Sequence, residues 1–228
     1  METSELAQLI KSRRSIRVWQ DKPVSEDLLL QAIGLATWAP NGGNQQNWHF
    51  YIVMKKETIQ AIADAAQAGR SLMASWPETA QQSGFTPPPR VPPPGESRPP
   101  APRPGSFASA PALIAVGTKR VENPNDKIFI AREKVDAVAA KMLLWNRTID
   151  SRIQSVSAAI AYLLLILHQM GLGAVWMTGP LPQAKGDIEK ILDVPADMDI
   201  IALIPVGYPA ETPTRDRRPV SEVCEIIR

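Results

Sequence analysis

The chain has 228 residues, of which 44% are hydrophobic and 21% are charged, and these values are ordinary for a globular protein. Its formal net charge of +2 gives no broad basic surface, so a nucleic-acid partner is not expected. The single cysteine, Cys224, excludes an internal disulfide, and with only two histidines, His49 and His168, a zinc site is not expected.

Helix signals recur along the chain. Ser25 is a good N-cap followed by two acidic residues, and it predicts a helix whose apolar spacing continues up to Pro40. Apolar spacing predicts five further helices, at about 6–11, 58–68, 130–149, 151–170 and 188–192. The 151–170 helix is apolar nearly all round from Val156 onward, which is typical of a helix at the centre of a molecule or in a subunit interface. Its apolar run, 158–167, is too short to span a membrane, so no membrane partner is expected.

Strands are predicted where aromatic and β-branched residues cluster, at 49–54, 111–117, 174–177 and 200–206, and the chain ends in an extended tail at 220–227. Half of the residues at 86–105 are proline, which excludes a helix or a central strand there. We assign an insertion at about 77–108, either a loop over the site or on the surface, or a docking segment for a proline-recognition domain. The interleaved strands and helices predict an α+β fold, a three-layer α/β/α sandwich with a central sheet.

The first residues, Met1-Glu2-Thr3-Ser4-Glu5, are acidic and polar. A secretory signal would begin with a positively charged segment and continue into an apolar run. We therefore expect a cytoplasmic protein.

Two arginine clusters, far apart in sequence, are the strongest indication of a binding site. The first is Arg13-Arg14-Ser15-Ile16-Arg17 and the second is Arg215-Asp216-Arg217-Arg218-Pro219. Guanidinium groups from two sides suit one small anionic group, and a phosphate is the usual one. The alternative is that these arginines face water and only interact with a helix dipole.

Two turns complete the candidate site. Residues 39–48 place Asn, Gln and backbone donors in a glycine-containing turn, which suits a planar ligand or is an ordinary helix–strand connection. Residues 176–180 include Gly179 at the end of a strand, where a ligand can approach the backbone closely. His49 and His168 are interpreted as packing residues. Because no side-chain triad is found, no catalytic residue is assigned.

In combination these segments resemble the FMN-dependent nitroreductase family. The resemblance rests on four motifs in the family's order: Arg-Arg-Ser-x-Arg at 13–17, Ala-Pro-x-x-x-Asn-x-Gln-x-Trp at 39–48, Gly-Leu-Gly-Ala-Val-Trp at 171–176, and Pro-Val-Gly-Tyr-Pro at 205–209 ahead of Arg217-Arg218-Pro219. It covers nearly the whole chain apart from the proline-rich insertion. It implies one domain over 1–228, a mostly antiparallel central sheet and a homodimer.

The resemblance also implies two FMN molecules at the dimer interface, each touched by both chains. One chain would supply the residues around the phosphate and ribityl chain: Arg13, Arg14, Ser15, Arg215 and Arg217. The same chain would place Arg17 near the N1/O2 edge of the ring and Met177, Thr178 and Gly179 along it. The other chain would supply Pro40, Asn41, Gly42 and Asn44, and Ser155 is a further candidate for the pyrimidine edge. The family commonly has Ser at the position of Asn41 and Pro at that of Asn47.

The implied activity is that of an FMN-dependent NAD(P)H oxidoreductase. In a ping-pong cycle, hydride from NADH or NADPH would pass through flavin N5 to a small oxidised organic acceptor of the nitroaromatic, quinone or enone type. One alternative is a flavoenzyme of the same fold that does not use NAD(P)H directly, in reductive dehalogenation or flavin breakdown. Another is a non-enzymatic scaffold that recruits partners through the proline-rich arm.

Overall fold

The computed structural model describes residues 3–81, 106–120 and 124–228. The helices in these ranges are α1 (Thr3–Ser12), α2 (Glu26–Ala36), α3 (Lys56–Ala74), α4 (Pro77–Gln81), α5 (Pro124–Arg132), α6 (Ala137–Ile149), α7 (Ser151–Gln169) and α8 (Leu181–Ile191). The strands are β1 (Trp48–Val53), β2 (Ala112–Lys119), β3 (Gly173–Ala174) and β4 (Met198–Gly207). Short 3₁₀ turns lie at Gly42–Asn44, Ser106–Ser109 and Val220–Glu222.

The four strands form one sheet in the order β1-β2-β4-β3, and every neighbouring pair is antiparallel. Strand β4 contains one irregularity, because Val116 pairs with Ala202 while Gly117 pairs with Ile200. A parallel bridge between Ser15 and Ala174 adds the segment after α1 beside the short β3. The expected antiparallel central sheet is confirmed.

Strand β2 divides the apolar core into two parts. Leu113 and Ala115 belong to the core on the face covered by α3 and α8. Ile114 and Val116 point to the opposite core, on the face covered by α2 and α7. Successive residues of a strand point to opposite faces of a sheet, so a strand buried on both sides reads as a continuous apolar run. The expected three-layer α/β/α sandwich is confirmed.

The predicted helix at 130–149 is wrong in its extent, because the structure has two helices there. Helix α5 ends at Arg132 and α6 begins at Ala137. Between them, Asp136 is extended (φ −141°), and its carboxylate accepts hydrogen bonds from the amides of Val138 and Ala139. A capping aspartate starts a new helix, and apolar spacing does not reveal this change.

Other boundaries also differ from the prediction. Helix α2 ends at Ala36 rather than near Pro40, and α3 continues to Ala74 rather than ending near residue 68. Helix α8 begins at Leu181 rather than near 188, with a proline in its first turn, where the missing amide costs no hydrogen bond. Strand β3 is shorter than predicted, and beyond it Met177 forms only an isolated bridge with Leu203. The predicted extended tail includes a 3₁₀ turn.

The proline-rich stretch at 86–105 lies outside the described residues. Its described neighbours are α4 on one side and the 3₁₀ turn at Ser106–Ser109 on the other. The assignment of 77–108 as an insertion therefore stays a prediction.

One stretch of the described residues, 137–169, is long and apolar enough to cross a membrane by length and composition alone. It consists of α6 and α7, which meet at Asp150, where φ is 26°. Helix α7 also buries Val156, Ile160 and Leu163 in the core beneath the sheet. The core helix of a soluble protein passes the same test, so the stretch is weak evidence for a membrane span.

Candidate functional site

Both arginine clusters line one cavity. Its volume is about 160 Å³, and its lining consists of Arg13, Arg14, Ser15, Arg17, Pro213, Arg215 and Arg217. Among the described residues, no carboxylate lines it. The structure therefore brings together the two ends of the chain that the sequence analysis predicted to grip one anion.

The first cluster is positioned by the core. Ile16 is 7% exposed, and its amide donates to the carbonyl of Ala174 at 3.1 Å. The indole nitrogen of Trp19 donates to the carbonyl of Gly173 at 2.9 Å. A Cβ on Gly173 would lie 2.7 Å from Cγ1 of Ile16, so this close approach requires glycine. The segment thus lies against β3 with its arginines turned away from the core.

The second cluster is brought back to the first by Glu211. The carboxylate of Glu211 accepts hydrogen bonds from the backbone amides of Arg17 and Val18, the latter at 3.1 Å. A carboxylate that accepts two backbone amides forms a strong, charge-assisted contact. It fixes the chain six residues before Arg217 next to the first cluster.

Positive side chains lie close together in the cavity. Burial, then the neighbouring Arg217 and Arg14, lower the pKa of Arg13. The Nε–H of Arg14 is buried and has no hydrogen-bond partner among the described residues. Because buried donors are normally paired, an unpaired one beside other guanidinium groups fits a bound anion.

The size of the cavity indicates which part of a ligand it takes. Pockets that enclose a whole small molecule measure roughly 300–1,000 Å³. The arginine cavity is smaller, at about 160 Å³. It fits a phosphate group, and the remainder of any larger ligand would lie outside it.

The glycine-containing turn lies elsewhere on the same chain. Gly43 and Asn44 adopt positive φ values of 60° and 53°, as the residue types predicted. The amide of Gly42 donates to the hydroxyl of Ser155 at 3.2 Å, and that hydroxyl donates to the carbonyl of Ser151 at 2.8 Å. Pro40, Gly42 and Asn44 are exposed, whereas Asn41 is half-buried.

The glycine-containing turn lies near the N-terminal end of α7, and the first arginine cluster lies near its C-terminal end. Ser155 contacts the turn, and His168 contacts Ser12, the residue before Arg13. Thirteen residues of α-helix separate Ser155 from His168, which corresponds to about 20 Å along the axis. Within one chain, the structure therefore does not bring the turn to the arginine cavity.

The third predicted segment lies closer to the arginines. Ala174 bridges Ser15, and Met177 follows three residues later, about 10 Å along an extended chain. Met177 exchanges two backbone hydrogen bonds with Leu203, each of 2.9 Å, and is half-buried. Thr178 and Gly179 are exposed beyond this point.

Sequence reasoning missed several residues of the site. Glu211 and Pro213 gave no signal, since a single acid or proline in a loop has no periodicity or motif. His168, interpreted as a packing residue, is half-buried and hydrogen-bonded beside the first cluster. In the described ranges, no group of three or more histidine, cysteine or acidic side chains could hold a metal ion.

The fold and the cavity together define an α/β/α protein with a phosphate-sized cavity lined by arginines. Comparison with known families is more specific: residues 10–208 match the family described as "Nitroreductase family", so the chain belongs to the nitroreductase family.

Individual relatives and solved structures are also similar to this chain. An NADH dehydrogenase of Thermus thermophilus is 29% identical over 199 residues, which cover 87% of this chain and 84% of that protein. A BluB-like flavoprotein of Clostridium difficile 630 superposes with a TM-score of 0.71 at 25% identity, over 100% of both chains. The structure of an iodotyrosine deiodinase bound to FMN and 3-iodo-L-tyrosine superposes with a TM-score of 0.65 at 22% identity, over 98% of this chain and 97% of that one. The last likeness concerns the fold.

Proposed function

We propose that this protein is an FMN-dependent oxidoreductase that uses NADH or NADPH to reduce a small oxidised organic acceptor. The observation that carries the proposal is the arginine cavity, which five arginines line with no carboxylate from the described part of the chain beside them. A phosphate monoester such as that of FMN supplies the missing negative charge. Membership in the nitroreductase family and the match to an NADH dehydrogenase support this choice.

The chain's own residues would bind and orient the cofactor. Arg13, Arg14, Ser15, Arg215 and Arg217 would hold the phosphate and ribityl chain. Arg17 would lie at the N1/O2 edge, where a fixed positive charge stabilises the negative charge of the reduced ring. Met177, Thr178 and Gly179 would run along the ring. Bound FMN supplies the two-electron chemistry, and no acidic or basic side chain is assigned to it.

The remaining contacts would come from a second copy of the chain. We assign Pro40, Asn41, Gly42 and Asn44 to the partner's side of the site, with Ser155 behind them. The separation of about 20 Å along α7 between Ser155 and His168 supports this assignment, because one cofactor cannot easily reach both groups of a single chain. The working unit is then a cytoplasmic homodimer with two sites.

A second candidate is a flavoenzyme of the same family that does not accept hydride from NAD(P)H. Two bacterial relatives named iodotyrosine deiodinase, each 25% identical to this chain, favour it. In that case the arginine cavity would serve the same phosphate, and only the electron donor and the substrate would differ.

The visible absorption spectrum of the purified protein under anaerobic NADH and NADPH tests the proposal. We expect an oxidised-flavin band that bleaches with one of the two donors. A band that persists with both would favour the second candidate. Absence of a band, even after incubation with FMN, would contradict both.

A further inference from the structure

The C-terminal end of α1 is held by a contact between two residues that have no assigned role in flavin binding. The hydroxyl oxygen of Ser12 lies 2.8 Å from Nε2 of His168, near the C-terminal end of α7. The same hydroxyl lies 3.2 Å from the carbonyl of Leu9. If the hydroxyl proton goes to that carbonyl, the oxygen of Ser12 accepts from Nε2–H, and both groups are satisfied.

Helix α1 is not fixed by apolar burial within the chain. None of its side chains from Ser4 to Ser12 is buried, and Leu6 and Ile10 are 44% and 52% exposed. Because apolar burial normally fixes a surface helix, a helix without it depends more on specific polar contacts. Among the described elements, α1 packs against α7.

Two fixed points therefore flank the first two arginines. On one side is the Ser12–His168 contact, and on the other Ile16 is buried and hydrogen-bonded to Ala174. Arg13 and Arg14 lie between them and line the cavity. The side chain of Arg14 turns back to the carbonyls of Lys11 and Arg13, so its direction depends on the last turn of α1.

We propose that His168 and Ser12 are positioning residues for the phosphate site, which fix the end of α1 so that Arg13 and Arg14 face the anion. The inference rests on the proposed function, since it concerns the same cavity. His168 acts on the site by holding Ser12 and the α1 backbone in place, and it does not need to contact the ligand itself.

The charge state of His168 is consistent with this role. Burial, together with the neighbouring Arg13 and Arg14, lowers the pKa of His168 below its ordinary value. The lowered pKa favours the neutral imidazole, which fixes the end of α1 without adding another positive charge to the cavity.

The test compares FMN with riboflavin, which has the same ring but no phosphate. Affinities of FMN-free protein for both are measured by flavin fluorescence for Ser12→Ala, His168→Ala and the double variant. We expect each single variant to weaken FMN binding about 3- to 10-fold, as for one lost hydrogen bond. Riboflavin affinity should stay unchanged, and the double variant should be no weaker than the single ones, because both substitutions remove the same contact.

Conservative and neighbouring variants complete the design. Ser12→Thr and His168→Gln keep a hydroxyl and a side-chain N–H, so they should restore most of the FMN affinity. Gln169→Ala, an exposed neighbour on α7, should change nothing. Equal losses for FMN and riboflavin, or wild-type FMN affinity in Ser12→Ala, would overturn the positioning role while the proposed function stands. A wild-type protein that binds FMN no better than riboflavin would overturn both.

Discussion

At the scale of single residues, the main electrostatic feature of the arginine cavity is the repulsion between neighbouring guanidinium groups. Burial, Arg217 and Arg14 together lower the pKa of Arg13, so the cavity without an anion is electrostatically unfavourable. A bound phosphate would reverse this situation, because each guanidinium that contacts it would gain a charge-assisted hydrogen bond. The cavity is therefore expected to be more stable with its ligand than without it.

The first prediction concerns Arg217→Ala. Loss of one charged hydrogen bond should weaken FMN binding by about 1.5–3 kcal/mol, or about 10- to 150-fold. Relief of repulsion with Arg13 should leave the FMN-free protein at least as stable as the wild type. Isothermal titration with FMN and urea unfolding of the FMN-free protein measure the two quantities.

Arg218→Ala is the matched control, since Arg218 carries the same charge one residue later but does not line the cavity. Its FMN affinity should stay within about twofold of the wild type. If both variants lose affinity equally, net charge rather than the cavity determines binding.

The arginines of the cavity could be predicted from the sequence because dense basic clusters are visible in a linear chain. The contacts that position them could not be predicted. Glu211 is a single acidic residue in a loop. It positions the second cluster by accepting hydrogen bonds from two backbone amides nearly two hundred residues away in sequence. His168 contacts Ser12 across a similar distance.

At the scale of elements, one carboxylate connects two strands and a helix. Asp199 in β4 accepts two hydrogen bonds from Arg120, at 2.8 and 2.7 Å, just after β2. It also accepts from Lys185 of α8 at 2.7 Å, and Lys185 contacts Glu189 one turn later. The bidentate guanidinium, followed by the ammonium of Lys185, holds the pKa of Asp199 at about 2.

The second prediction follows from the pKa of Asp199, which is lower in the folded protein than its ordinary 3.8. Stabilisation by this carboxylate is complete above about pH 5 and is lost as the pH falls from about 4 towards 2. Asp199→Asn should lower the free energy of unfolding at pH 7 by about 1 kcal/mol, because solvent screens the half-exposed Arg120. Urea unfolding at pH 7, 4 and 3 measures the free energy of unfolding of both proteins. The difference between the wild type and Asp199→Asn should become smaller as the pH is lowered.

Asp193→Asn serves as the control, because Asp193 is exposed and asparagine tolerates its positive φ of 49°. It should leave the unfolding free energy nearly unchanged at all three values of pH. A pH-independent loss in Asp199→Asn would indicate that packing, not charge, explains the effect.

Elements were predictable to different degrees for physical reasons. Strand β2 is apolar on both faces, and such a run is visible in the sequence. The break between α5 and α6 was not predicted, because Asp136 interrupts the backbone while apolar residues continue on both sides. Strand β3 has two residues, which is too short for any alternation to show.

At the scale of the whole molecule, the layers were predictable from the sequence, whereas the distance between the turn and the arginine cavity was not. Alternating strands and helices imply a layered sandwich, which the structure confirms. Contacts such as that of the glycine turn with Ser155 depend on where α7 places its two ends. The family resemblance implied a shared site, and the length of α7 now provides an independent argument for it.

The third prediction tests the shared site with two complementary defects. Gly42→Phe should block the site of the partner copy with little strain in its own chain, because no atom lies within 4 Å of a Cβ added at Gly42. Arg217→Ala damages the phosphate contact of its own chain. Homodimers of either variant should therefore bind little FMN at concentrations that saturate the wild type, whereas Gly186→Phe, at another open glycine, should bind normally.

A mixed dimer, isolated through two different tags, distinguishes the possible arrangements. If each site combines the arginines of one chain with the turn of the other, one site of the mixed dimer carries both defects and the second carries none. Absorption at the flavin band should then show one tightly bound FMN per mixed dimer. If instead the turn acted within its own chain, each site would keep one defect, and the mixed dimer would bind no better than the two homodimers. Recovery of half the sites thus requires that neither chain forms a complete site alone.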